Sequence, residues 1–247
     1  MLWLRSALFA IMFWLGVLTF GLLITIMWPI TPLTFRRKMA TYWARYNSLM
    51  LRLCCNLRHE IQGLENLPPA PFVIVSKHQS AWETITMHQM FPPFGWALKK
   101  SLKYIPIFGW ALAATGQIFI NRSKGTEAIR ALQKEGVKAL EQGLCMIIFP
   151  EGTRVAEGEV GDYKPGGVMM AMAAKVPIVP VAHDAGYYWP KAGFVKKPGT
   201  IRVRIGRPIE TVNVLKSARK QLGIDTKEKI ESMMDEIRQE RGSSTPN

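Results

Sequence analysis

Leu144-Cys145-Met146-Ile147-Ile148-Phe149-Pro150-Glu151-Gly152-Thr153-Arg154 turns abruptly from apolar to charged. A short unbroken apolar run reads as a strand buried on both faces. Pro150 cannot extend the ladder, so a carboxylate and a guanidinium arrive where the chain leaves the sheet. In open α/β sheets ligands bind at that edge, outside the carboxyl ends of the strands. A polar turn would explain the tetrapeptide alone, but the ends of three other strands carry comparable residues.

Around this run, strands and helices alternate from Pro68-Pro69 onward. Phe72–Ser76, Gly95–Leu98, Gln117–Asn121 and Ile178–Val181 read as further strands, and Ile201–Ile205 alternates like a half-exposed edge strand. Helices are expected from Ala81 to about Met90, Thr126 to Gln142, Gly167 to Ala174, and over 226–241. The pattern predicts an α/β fold: a mostly parallel twisted sheet flanked by helices, with an N-terminal hydrophobic membrane-anchoring helical segment. At 247 residues there is room for one sizeable domain and an appendage.

The appendage is residues 1–58. No charged residue stands between Arg5 and Arg36, more than the roughly 20 apolar residues that cross a bilayer. The stretch is too long for the apolar part of a signal peptide, and no small-x-small cleavage site follows. Trp3, Trp14 and Trp28 suit interfacial anchoring. Arg36, Arg37, Lys38, Arg45, Arg52 and Arg58 follow with no acid before Glu60, a flank expected to face anionic headgroups on the cytoplasmic side. Residues 35–57 read as an amphipathic helix, and Pro29 and Pro32 break the chain before it, so a helical pair lying in one leaflet competes with a simple span. The formal charge of +14 asks for an anionic partner, and the N-terminus selects membrane and phosphorylated substrate over nucleic acid. Three cysteines give neither a metal spacing nor a disulfide framework. Residues 59–241 form the expected catalytic domain, and 242–247 a disordered tail.

Lys77-His78-Gln79-Ser80-Ala81-Trp82-Glu83 ends the first of these strands. On one regular helix His78 and Glu83 would point about 140° apart, so they meet only if His78 precedes the helix. Ser80 and Glu83 match a capping box with Ser80 as N-cap and Glu83 at N3, which puts His78 just outside. A carboxylate that holds one ring nitrogen and steadies the imidazolium as it forms is what a general base needs. His59, His88 and His183 lack the relation, being followed at the same distance by Leu64, Pro93 and Tyr188. Lys99, Lys100, Arg122 and Arg154 bring cations to the same edge, where Arg can hold a phosphate through paired hydrogen bonds. Glu151 is expected to orient Arg154 or cap a loop. No nucleophile elbow is present, so direct transfer is favoured over a covalent intermediate.

These blocks resemble the glycerophospholipid acyltransferase family, in particular its bacterial 1-acyl-glycerol-3-phosphate acyltransferases, over roughly residues 60–210. His78 to Glu83 is similar to the family's His-four-residues-Asp motif, Gly116 to Arg122 to its Gly-x-x-Phe-x-x-Arg block, and Phe149 to Arg154 to its Phe-Pro-Glu-Gly-Thr-Arg block. Val176 to Val181 matches a fourth block, and Lys99-Lys100-Ser101-Leu102 a lysine segment. Glu83 stands where Asp is usual, and Lys77 where Asn often precedes the histidine, setting an extra cation beside the base.

The resemblance implies transfer of an acyl group from acyl-coenzyme A or acyl-carrier protein to the sn-2 hydroxyl of lysophosphatidate at a bacterial inner membrane, with no metal or bound cofactor. It gives His78 the base role and Glu83 the orienting role. Lys99, Lys100, Arg122, Glu151, Gly152, Thr153 and Arg154 are its substrate-binding candidates, with backbone amides near the helix start as oxyanion donors. The segment Tyr104 to Leu112 is either ordinary core or the wall of an acyl-chain groove. Competing readings are an acyltransferase for another lysolipid such as lyso-ornithine lipid, a thioester hydrolase, and a non-catalytic scaffold that binds anionic lipid.

Overall fold

The computed structural model describes residues 1–121 and 126–243, apart from the Thr126 side chain. Helices α1 (Leu2–Ile26) and α2 (Leu33–Cys55) come first, joined through a 3-10 turn at Trp28–Ile30. Then follow β1 (Leu57–Gln62), β2 (Val73–Ser76), α3 (Trp82–Thr86), β3 (Phe94–Lys99), α4 (Phe108–Ala114) and β4 (Ile118–Ile120). The second half holds α5 (Thr126–Glu141), β5 (Cys145–Ile148), α6 (Gly166–Ala174), β6 (Ile178–His183), α7 (Ala185–Tyr188), β7 (Gly199–Ile205) and α8 (Arg219–Ser243). The strands form one sheet in the order β1-β7-β6-β2-β5-β3-β4. Only the β6–β7 pairing is antiparallel among those described.

Both faces of the centre are covered, which is why its strands read as continuous apolar runs. Ile74, Ile147 and Val179 point to one face, where Phe9, Leu51, Phe72 and Trp82 complete a core under α1, α2 and α3. Their neighbours Val73, Val75, Met146, Ile148 and Ile178 point to the other, against Leu140, Met170, Ile230 and Met234 of α5, α6 and α8. The parallel strands β6, β2, β5, β3 and β4 send their carboxyl ends to one edge, so β2 and β5 deliver His78 and Glu151–Arg154 side by side.

Several expectations change. Ile201–Ile205 belongs to β7, which is not an edge strand: β1 takes the edge and pairs with it. The polar alternation has another cause, since Arg204 turns to Glu240 of α8 and Arg202 lies near Glu240 and Glu60. β1 itself escapes notice because Leu57-Arg58-His59-Glu60-Ile61-Gln62 looks polar, and it starts before the domain boundary placed at 58. The helix expected to reach Met90 ends at Thr86 and tightens into a 3-10 turn. α8 starts at Arg219 rather than 226 and includes Gly242 and Ser243 of the expected tail; residues 244–247 lie outside those described.

Candidate active site

His78 follows β2 and precedes α3, as the spacing required. Its Nδ1 stands 2.8 Å from Glu83 Oε1. An ionised carboxylate only accepts, so Nδ1 is the donor in this contact, and in the neutral ring Nε2 is the nitrogen with the lone pair. Glu83 is fully buried; burial raises its pKa, but the hydrogen bond from His78, His183 nearby and the Ser80 N–H outweigh that and hold it below the usual carboxylate range. The imidazole stacks on Phe149 at 4.0 Å, and Phe149 stacks in turn on Trp96 at 5.4 Å. Trp96 Nε1–H donates to His88 Nε2 at 2.9 Å, which fixes the indole.

The capping box forms only in part. Ala81 is the N-cap, and Ser80 Oγ accepts from the Trp82 N–H rather than from Glu83. Glu83 does reach back, accepting from the amides of Gln79 and Ser80 at 2.9 Å each. Those amides, and that of Trp82, are therefore committed to side chains and are not the expected oxyanion donors.

Glu151 does not orient Arg154. Its buried carboxylate accepts from the His78 N–H at 3.4 Å and lies 3.8 Å from Lys77 Nζ, so it braces the base loop from behind. Burial raises its pKa, and Lys77 and the His78 N–H offset part of that rise. Lys77 is not the extra cation beside the base either. Successive residues of an extended chain point to opposite faces, and Lys77 turns toward α8, fully buried, 2.7 Å from Glu231. It also donates to the Glu159 carbonyl, while the Tyr163 hydroxyl donates to Glu231.

Two cavities meet near the base. One, of about 410 Å³, is lined by His78, Phe149, Gly152, Lys164, Met169 and side chains of α5. Gly152 has φ +70°, where glycine is favoured, and a Cβ there would press on Lys164 Nζ at 3.0 Å. The other, about 330 Å³ and largely apolar, runs between α1, α2 and the sheet past Phe13, Val17, Trp43, Leu98 and Phe108, with Arg154 on its wall. Trp96 lines both.

Of the expected binding residues, Arg154 is partly buried with Nη1 3.5 Å from the Lys191 carbonyl, and Thr153 is exposed beside it. Lys99 and Lys100 are exposed at the end of β3 and line neither cavity. Arg122 lies outside the described residues. In the segment Tyr104 to Leu112, Phe108, Ala111 and Leu112 line the apolar cavity while Tyr104 faces outward. Lys164 went unread, although Lys164-Pro165-Gly166-Gly167 marks a sharp entry into α6 at the same edge. The pairing of His88 with Trp96 went unread too: the histidine was set aside for lack of an acid and the tryptophan read only as part of a strand.

A family model described as Acyltransferase matches residues 58–184. A curated 1-acyl-sn-glycerol-3-phosphate acyltransferase of Pseudomonas aeruginosa is 43% identical over 203 residues, 82% of this chain and 79% of that protein. One from Saccharomyces cerevisiae is 37% identical over 175 residues, 68% of this chain and 56% of its own. Among solved structures, the 1-acyl-sn-glycerophosphate acyltransferase PlsC of Thermotoga maritima aligns with a TM-score of 0.80 over 95% of each chain; at 21% identity, the likeness is one of fold. The matched span takes in the His78–Glu83 pair and Arg154, and on both measures of sequence the chain belongs to the acyltransferase family.

Proposed function

We propose that this chain transfers a fatty acyl group from an acyl thioester to the sn-2 hydroxyl of 1-acylglycerol 3-phosphate, forming phosphatidate in phospholipid biosynthesis. The observation that carries the reading is the 2.8 Å His78–Glu83 contact, which leaves the other ring nitrogen free at a sheet edge shared with Arg154. His78 Nε2 takes the hydroxyl proton as the oxygen attacks the thioester carbonyl. The tetrahedral intermediate collapses, the C–S bond breaks, and the imidazolium returns the proton to the departing sulfur. Lys164, which lines the same cavity as His78, meets the charge gathering on the carbonyl oxygen. Arg154 holds the acceptor phosphate, helped by Lys99 and Lys100 from the neighbouring strand end and by Arg122, and the apolar cavity takes an acyl chain. The thioester is a co-substrate, and the scheme uses no metal or bound cofactor.

The reaction is placed on a membrane carrying anionic headgroups, with the active site on the cytoplasmic side. Leu4, Leu8, Ile11, Leu15 and Leu18 form an exposed stripe along α1. Lys38, Arg45 and Arg52 repeat every seventh residue on the exposed face of α2, beside Tyr42 and Leu49. Arg36 and Arg37 leave that flank: their guanidinium groups donate to the carbonyls of Ala114 and Thr115 at the end of α4. Because α1 packs along the catalytic body, the arrangement favours a helix pair lying in one leaflet.

The test is purified protein with lysophosphatidate and a labelled acyl thioester, lipid products resolved. Labelled phosphatidate is expected, and His78→Ala lowers kcat by about a hundredfold or more. Label appearing only on a phosphate-free lysolipid reassigns the acceptor; free fatty acid without lysolipid makes the protein a hydrolase.

A further inference from the structure

A third opening, about 590 Å³, adjoins the His78 cavity on the side of α6 and α8, away from the N-terminal helices. The two share Pro150, Lys164 and Pro165 as walls. Across from these stand Arg219, Lys220 and Lys227 of α8. Among the described residues none of these four cations makes an ion pair, although Lys227 lies over the Tyr163 ring at 5.7 Å. Asp162 is the carboxylate on the lining. Glu231, one turn beyond Lys227, is engaged by Lys77 and the Tyr163 hydroxyl. Four cations facing one concavity against a single acid repel one another, and an anion with several charges relieves that.

Acyl transfer to lysophosphatidate involves two anionic molecules, and cations stand on both sides of the base. Arg154 lies on the side of the apolar cavity, and the α8 group lies on the other. Resting on the function above, we propose that the α8 opening binds the nucleotide phosphates of a coenzyme A thioester. Its pantetheine arm then passes Lys164 and presents the thioester carbonyl to His78. The volume falls within the range of small-molecule sites, roughly 300–1,000 Å³. A concave opening of that size fits a compact polyphosphate, whereas an acidic carrier protein would dock on a broad surface.

Binding of adenosine 3′,5′-bisphosphate to the full chain, measured by titration calorimetry, tests the site without catalysis. The wild type binds it, inorganic phosphate does not displace it at equal concentration, and the variant R219A/K220A/K227A binds at least about tenfold more weakly. The charge-conserving K220R/K227R retains binding. Absence of binding by the wild type, or equal binding by the triple variant, overturns the proposal. In transfer assays the wild type has a lower KM for palmitoyl-coenzyme A than for palmitoyl-pantetheine, and the triple variant narrows that ratio. Equal KM values in the wild type overturn the proposal, as does exclusive use of acyl-carrier protein. A chain that binds the bisphosphate yet acylates no lysophosphatidate keeps this site and loses the function proposed above.

Discussion

His88 is uncharged at neutral pH, because burial, with Arg37 nearby, drives its pKa from 6.5 down to about 4. The imidazole is then free to accept from Trp96. The unfolded chain takes up this proton first as pH falls through 6.5, so the histidine's contribution is complete above 6.5 and drains away toward 4. At most roughly 3 kcal/mol is involved. Melting temperature in detergent should therefore drop between pH 7 and 4.5, and less so in His88→Gln; an unchanged slope in that variant would exonerate the histidine. Removing one partner of a fully buried ion pair costs about 3–5 kcal/mol; Lys77 is fully buried but Glu231 only partly, so Lys77→Met and Glu231→Gln should each destabilise by up to that amount. The double variant should lose less than their sum in urea unfolding, and additive losses would mean that the two are not energetically coupled. At the acceptor, Arg154→Ala should raise KM for lysophosphatidate about tenfold or more; a phosphate-free lysolipid impaired as much would remove the contact. The His78–Glu83 pair was legible because it spans five positions. Lys77's partner stands 154 positions away, beyond any local pattern, so a local reading left the lysine beside the base.

Among the elements, α4 shows how tightly the wall of the apolar cavity is built. A Cβ on Gly109 would run into the carbonyl oxygens of Leu102 and Lys103, which belong to the preceding backbone and cannot swing aside. Gly109→Ala should cost about 1–3 kcal/mol and loosen this wall; a variant as stable as the parent in urea would show that the turn yields freely. Strands whose two faces both meet helices declare themselves as apolar runs, so β2, β5 and β6 were readable within a residue or two. β1 and β7 were harder because charged side chains find partners across the fold, and a covered polar face imitates an exposed one. The start of α8 was missed for a related reason: Gly223-Ile224-Asp225-Thr226 resembles a cap, while the packing of Leu222 carries the helix back past it.

At the scale of the whole molecule, α1 is a structural member as well as an apolar surface. Phe9 is buried with Leu51, Leu57 and, edge-on, Trp189, and Ser6 Oγ accepts from the Lys196 N–H. Farther along, Gly21 rests against Ile107. Deleting residues 1–30 should abolish cooperative unfolding even in detergent, since it strips one face of the core; a truncated chain melting like the full one would make α1 a dispensable appendage. Composition revealed that this helix is greasy, but its second job depends on partners nearly 200 positions away. A segment riveted fore and aft leaves no leash. With α1 seated in a leaflet as proposed, the crevice would ride at a set height on the lipid surface and meet its acceptor by drifting sideways among neighbouring lipids. Crowding the leaflet with inert lipid should therefore slow turnover, whereas enlarging the surrounding buffer volume at constant thioester concentration should not.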